Sequence, residues 1–186
     1  KGPKGKSPWV EIDGRTIGDS RLIIDMLAAQ SGYDIDSHLS SEQRAEAHAW
    51  RRAFEEGFHQ VLEWELFVHP AGKAYIAELI RSAAPALLAP LITRRLCSHF
   101  EKQLRARGVG RFSPEDIARI GREELDALAA RLHGKHYLFG EQPCLADLAV
   151  FGQVAPLVRW PMRTPVAEYA KRLAPIVEFV DRVQVL

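Results

Sequence analysis

Between residues 41 and 69 large apolar side chains recur with the period of an α-helix, and no proline interrupts them. Trp50, Phe54, Gly57, Val61, Trp64 and Val68 follow the i, i+4, i+7, i+11 spacing of a single buried stripe. Arg52, Glu55, Glu56, His59 and Glu63 fall on the other side, and Pro70 ends the pattern. A helix of that length needs other helices to cover its stripe. The rest of the chain supplies them. Helices are expected around 73–82 and around 91–107, the second stopped by Gly108 and Gly110. Ser113-Pro114-Glu115-Asp116 is a helix start, with a capping Ser and Pro in the first turn, and that helix runs to about Leu132 before Gly134. Further helices begin near Cys144 and cover about 166–173 and 175–185. Residues 40–186 thus read as all-helical.

The first thirty-two residues follow another pattern. Pro8-Trp9-Val10-Glu11-Ile12 is a short strand, Asp13-Gly14 a hairpin turn, and Arg15-Thr16-Ile17 the return. Asp19-Ser20 then opens a helix through Ala29. A lone hairpin is marginal in water, so this piece is expected to need further strands. The chain begins Lys1-Gly2-Pro3-Lys4-Gly5-Lys6, without Met, and runs straight into a strand. It therefore reads as starting inside a domain, with native residues expected before Lys1; a vector-derived tail is the alternative. The fold class expected is α+β, mostly α.

Composition removes several functions. Lys and Arg number 25 against 24 Asp and Glu, which gives no electrostatic reason for nucleic acid or an anionic membrane as partner. The apolar stretch 83–92 is too short to span a bilayer and contains Pro85 and Pro90. Cys97 and Cys144 form no C-x-x-C pattern and read as reduced, buried thiols of a cytoplasmic protein. Glu56 and His59 make one Glu-x-x-His, but di-iron bundles need two such motifs and two further glutamates. His133 and His136 lack partners, and no metal is expected.

Three features in order carry a resemblance. They are Gly5-Lys6-Ser7-Pro8-Trp9-Val10 at a strand start, Asp19-Ser20 at the helix after the hairpin, and Pro143-Cys144-Leu145-Ala146-Asp147 at a late apolar helix. Together they resemble the glutathione S-transferase family. Pro3-Lys4-Gly5-Lys6, Asp19-Ser20 before Ile23-Ile24, Leu39-Ser40-Ser41-Glu42-Gln43-Arg44 and Leu138-Phe139-Gly140 are similar to its failed-axon-connections, or metaxin-related, branch. The resemblance implies the second half of a thioredoxin-like domain in residues 1–32, its opening absent, and an all-α C-terminal domain in residues 40–186.

It also implies roles. Ser7, before a cis Pro8, would offer its backbone to the cysteinyl part of glutathione as an added strand. Asp19 would hold the γ-glutamyl ammonium, and Ser20 with the helix N-terminus its carboxylate. Lys6 would lie near the glycyl carboxylate. Asp-Ser at a helix start is equally a plain N-cap. Trp50, Arg51 and Phe54 would wall the second-substrate pocket, or else belong to the core of the bundle. Cys144 and Asp147 would form a structural capping box, weakened because a thiol is a poor acceptor. The reacting group of the family lies on elements expected before Lys1, so no catalytic residue is assigned. The implied function is glutathione-dependent transfer of an alkyl or aryl group, or related thiol chemistry, on a small apolar electrophile. Glutathione is the cosubstrate and a homodimer the expected assembly. The alternative is a non-catalytic binding or scaffold module of metaxin type.

Overall fold

The structure is a computed structural model that describes all residues except 1, 3, 4 and 6. It is α+β and mostly helical, and it divides into two compact units, Lys1–His38 and Leu39–Leu186.

In the first unit β1 (Trp9–Ile12) and β2 (Arg15–Gly18) pair antiparallel, with Trp9 opposite Gly18 and Ile12 opposite Arg15. Asp13 and Gly14 at the turn both take positive φ, 51° and 72°. That is the mirror-image turn whose twist matches the strands it joins. α1 (Ser20–Ser31) follows, and Gly32 ends it in the left-handed region with its N–H on the Ala28 carbonyl. Among the described residues no third strand joins the hairpin, and Ile23 is the one buried side chain of this unit.

The second unit opens on α2 (Ser41–Arg52). The Ser40 hydroxyl accepts from the Gln43 N–H, and the Gln43 side chain accepts from the Ser40 N–H at 2.9 Å. α2 continues through a π-helical segment, Ala53–Phe58, into α3 (His59–Phe67), so the long helix is real but not uniform. The π turn corrects the expected stripe. A π-helix bonds i to i+5 and spends more residues per turn, so the inward position after Phe54 falls on Phe58, while Gly57 is exposed. α3 is enclosed by α4 (Pro70–Ala83), α5 (Ala89–Arg107), α6 (Pro114–Leu132) and α7 (Leu145–Arg159). Residues 61–66 are all buried as a result. Glu63, expected on the polar side, is 5% exposed. Pro70 both ends the long helix and starts α4. A Cβ on Gly72 would run into the Glu65 carbonyl, so the first turn of α4 lies directly on the α3 backbone.

α8 (Pro165–Ala170) and α9 (Ala174–Val183) complete the bundle, each slightly shorter than the sequence pattern suggests. The core runs through Phe54, Phe58, Leu104, Leu125, Val150, Val154 and Phe179, all fully excluded from water. No helix among the described residues is long and apolar enough to cross a membrane.

Candidate functional site

The hairpin register places the start of β1 beside the end of β2, where α1 begins. The Asp19 N–H donates to the Pro8 carbonyl at 3.2 Å, which ties the two together. The Ser7–Pro8 peptide is cis. Asp19 has φ 95° and ψ 124°, a backbone conformation that residues other than glycine rarely adopt. Its carboxylate accepts from the Arg21 N–H at 3.0 Å, so Asp19 is the N-cap and Ser20 the first helical residue. Arg21 is turned toward Asp25, 3.9 Å away, and Asp19 makes no ion pair among the described residues. The exposed Ser20 hydroxyl has no hydrogen-bond partner there either. The structure thus brings Ser7, Pro8, Asp19 and Ser20 together on one small element. Lys6 lies outside the described residues. A carboxylate, a free hydroxyl and the unpaired N–H groups of a helix start suit a zwitterion: ammonium to the carboxylate, carboxylate to the donors.

The three residues proposed for a second-substrate wall are placed unevenly. Phe54 is fully buried between Trp50 and Phe58, with ring centroids 6.0 and 5.0 Å away. It belongs to the bundle core, the plainer of its two expected roles. Trp50 is half-buried, and Arg51 bonds Glu55 at 3.2 Å. Phe54 lies inside the π segment, and Trp50 and Arg51 lead into it.

Asp147 is fully buried, and its carboxylate accepts from the Cys144 N–H (2.8 Å), the Leu138 N–H (2.8 Å) and the Cys144 thiol (3.0 Å). The sulfur acts as donor, which relieves the expected weakness of a thiol at this cap. Burial raises the Asp147 carboxyl, while its donors pull it down. Burial, then the adjacent carboxylate, pushes the Cys144 thiol up to about 12. Such a thiol is no nucleophile at neutral pH.

Sequence reasoning missed two buried carboxylates. Glu63 accepts from Arg107 at 2.7 Å and faces His59 at 3.3 Å; His59 in turn meets Gln153 at 3.0 Å. The Glu63 hydrogen bond raises the His59 pKa despite partial burial. Burial works to raise the Glu63 pKa, but the His59 and Arg107 contacts hold it below the ordinary value. Glu65 reaches the start of α8, accepting from the N–H of Val166 and Ala167 at 3.2 and 3.4 Å, and burial raises its pKa. The local His59–Glu63 spacing gives no sign of burial, because the partners that explain it, Arg107 for Glu63 and the start of α8 for Glu65, are 44 and about 101 positions away. Glu56 pairs with Arg52 at 3.0 Å, and no group of three or more metal-ligating side chains gathers among the described residues.

Comparison with known proteins agrees with this architecture. Residues 1–72 match the glutathione S-transferase N-terminal domain, and residues 121–183 match the glutathione S-transferase C-terminal domain. The isoprene-epoxide–glutathione S-transferase of Rhodococcus sp. (strain AD45) is 26% identical, over 98% of this chain and 78% of its own. Failed axon connections of Drosophila melanogaster is 26% identical over 91% of this chain but 44% of its own. Human metaxin-2 is 21% identical over 98% and 70%. No solved structure matches the chain significantly. With the two domain matches lying in chain order, one from the hairpin through α3 and the other over the later helices, this chain belongs to the glutathione S-transferase family.

Proposed function

We propose that the chain binds glutathione at the hairpin–helix element and uses it in alkyl or aryl transfer, or related thiol chemistry, on a small apolar electrophile. The observation that carries this is Asp19. Its carboxylate stands without an ion-pair partner, on a backbone conformation costly for any side chain, next to a free Ser20 hydroxyl and pinned to Pro8. Strain held at one exposed residue points to use rather than packing. In this reading the Ser7 backbone takes the cysteinyl part, Asp19 the ammonium, and Ser20 with the head of α1 the γ-glutamyl carboxylate. The named substrate class of the Rhodococcus relative makes a small alkene epoxide the first electrophile to try. There the glutathione sulfur would bond a ring carbon, the C–O bond would break, and the oxygen would take up a proton.

Calorimetric titration with glutathione tests the site. Ser20→Ala should weaken affinity about tenfold, the loss of one hydrogen bond to a charged group. Because Asp19 and not Ser20 caps α1, the melting temperature should stay where it is. Asp19→Asn should weaken binding similarly while keeping a capping oxygen. Equal affinity in wild type and both variants would overturn the site.

A second reading, a non-catalytic binding or scaffold module, is favoured by the match to Failed axon connections at the same 26% identity as the enzyme. Glutathione binding without turnover of an epoxide would select it. We further expect a homodimer, and sedimentation as a concentration-independent monomer would remove that assembly.

A further inference from the structure

α4 and α5 line a solvent-open cleft of about 650 Å³, within the roughly 300–1,000 Å³ of small-molecule sites. Every residue lining it belongs to the second unit. Small side chains, Ala77 on α4 and Ala89, Pro90 and Thr93 on α5, keep the space open. Cys97 also lines it, 6% exposed, and burial raises its pKa so that the thiol is neutral at physiological pH. The body of the cavity is therefore apolar and uncharged. Its charged lining is not balanced. Lys73 faces Glu101 at 3.8 Å, and Arg81 bonds Glu78 at 2.6 Å. Arg94 makes no ion pair among the described residues, although it lines the same space.

An apolar cavity with one uncompensated cation at its wall is complementary to a molecule with an apolar body and a single acidic head. We propose that this cavity binds a medium-chain aliphatic carboxylate, its chain between Ala77, Ala89 and Thr93 and its carboxylate on the Arg94 guanidinium. Arg suits this role because its planar fork matches a carboxylate and it stays charged at all relevant pH. The flanking Leu87, Leu88 and Leu91 are 95%, 50% and 56% exposed, so apolar surface continues beside the cavity along the turn into α5. The site shares no residue with the glutathione element, and either proposal can fail without the other.

The test is calorimetric titration of the full chain with decanoate and with decanol, both below their aggregation concentrations. Decanoate should bind about tenfold tighter than decanol, and Arg94→Gln should erase that difference. Arg94 is exposed, so this variant should fold normally. Ala77→Phe, which fills the cavity, should remove binding of both ligands. Decanoate should also slow alkylation of Cys97, followed by mass spectrometry, while Cys144 stays unmodified throughout. Equal affinity for acid and alcohol would overturn the proposal, as would decanoate binding that survives Ala77→Phe. So would retention only on phosphatidylglycerol vesicles with no uptake of monomeric decanoate, which would make this face a membrane-docking surface instead.

Discussion

In residues 39–186 the core includes Phe54, Leu125, Val150 and Phe179 with no exposure at all, whereas in residues 1–38 Ile23 is the one buried side chain among those described. The larger unit is ordered by packing, and its polar groups are drawn into that packing, as Glu63, Glu65 and Asp147 show. The smaller unit is ordered by the hairpin ladder and its turn, by the two ends of α1, and by the hydrogen bond from Asp19 to Pro8. Devices of that kind are each worth about 1 kcal/mol, while a buried aromatic is worth several. The small unit therefore has little buried surface of its own to lose, and its exposed Ser20 hydroxyl is free for a ligand. The large unit rests on its core and buries Glu63, Glu65 and Asp147 within it.

The sharpest way to break this contrast is to compare truncations. Phe54→Ala should cost about 3–5 kcal/mol in chemical denaturation, while Ile23→Ala should cost roughly 1–2 kcal/mol, the smaller value reflecting a site with few neighbours. Equal losses would mean that the small unit has a core after all. Asp147→Ala comes next. It leaves the N–H groups of Cys144 and Leu138 buried without an acceptor, which should cost about 2–4 kcal/mol. Thermal melts should fall while glutathione affinity does not change.

Asp19→Gly has a smaller and opposite effect. It relieves a strain of about 1–3 kcal/mol against roughly 0.5–1 kcal/mol of added chain entropy and a few tenths for the cap. The melting temperature should hold or rise while glutathione binding falls. A clear drop in melting temperature would make Asp19 a structural residue.

The smallest effect concerns His59 and Glu63, a polar pair at the edge of the large unit. The His59 pKa is raised on folding, so its contribution is full below its unfolded value, near 6.5, and fades as pH rises through the higher folded value. The Glu63 pKa is lowered, so its contribution is full above its ordinary value, near 4.5, and fades as pH falls through the lower folded value. The pair should stabilise most between those two limits. His59→Gln should cost a few tenths of a kcal/mol near pH 5.5, since the ring is 42% exposed. It should cost less near pH 8. A cost that grows with pH would reverse the assignment.

What could be foreseen from the chain follows the same division. Asp13-Gly14, Asp19, Ser40, Ser113 and Gly32 act within a few residues of themselves, so their chemistry is visible in a short window. The helical bundle was legible because amphipathic periodicity is also local. Glu63 was misplaced because neighbouring helices enclose α3 on every side, so that residues off the expected stripe are buried too, and because α5 brings Arg107 onto it. Glu65 escaped notice because its reason for being buried is the start of a helix far along the chain. The hairpin–helix site was legible residue by residue; the positive φ of Asp19, which separates it from an ordinary cap, was not.

The π segment also gives the long helix a reserve of length. In an α-helix each residue turns the chain by one part in 3.6, about 100°. A residue gained or lost there normally swings everything downstream onto another face. Residues 53–58 already hold more chain per turn than an α-helix does. Removing one residue from this stretch, Gly57 being the exposed choice, would let it tighten to α geometry while α2 and α3 keep their own neighbours. The same deletion two turns later, within the fully enclosed residues 61–66, would carry Glu63 and Glu65 away from Arg107 and α8 together. Tolerance of single-residue length change along this helix should therefore be confined to one turn, the one that holds Phe54 and follows Trp50 and Arg51.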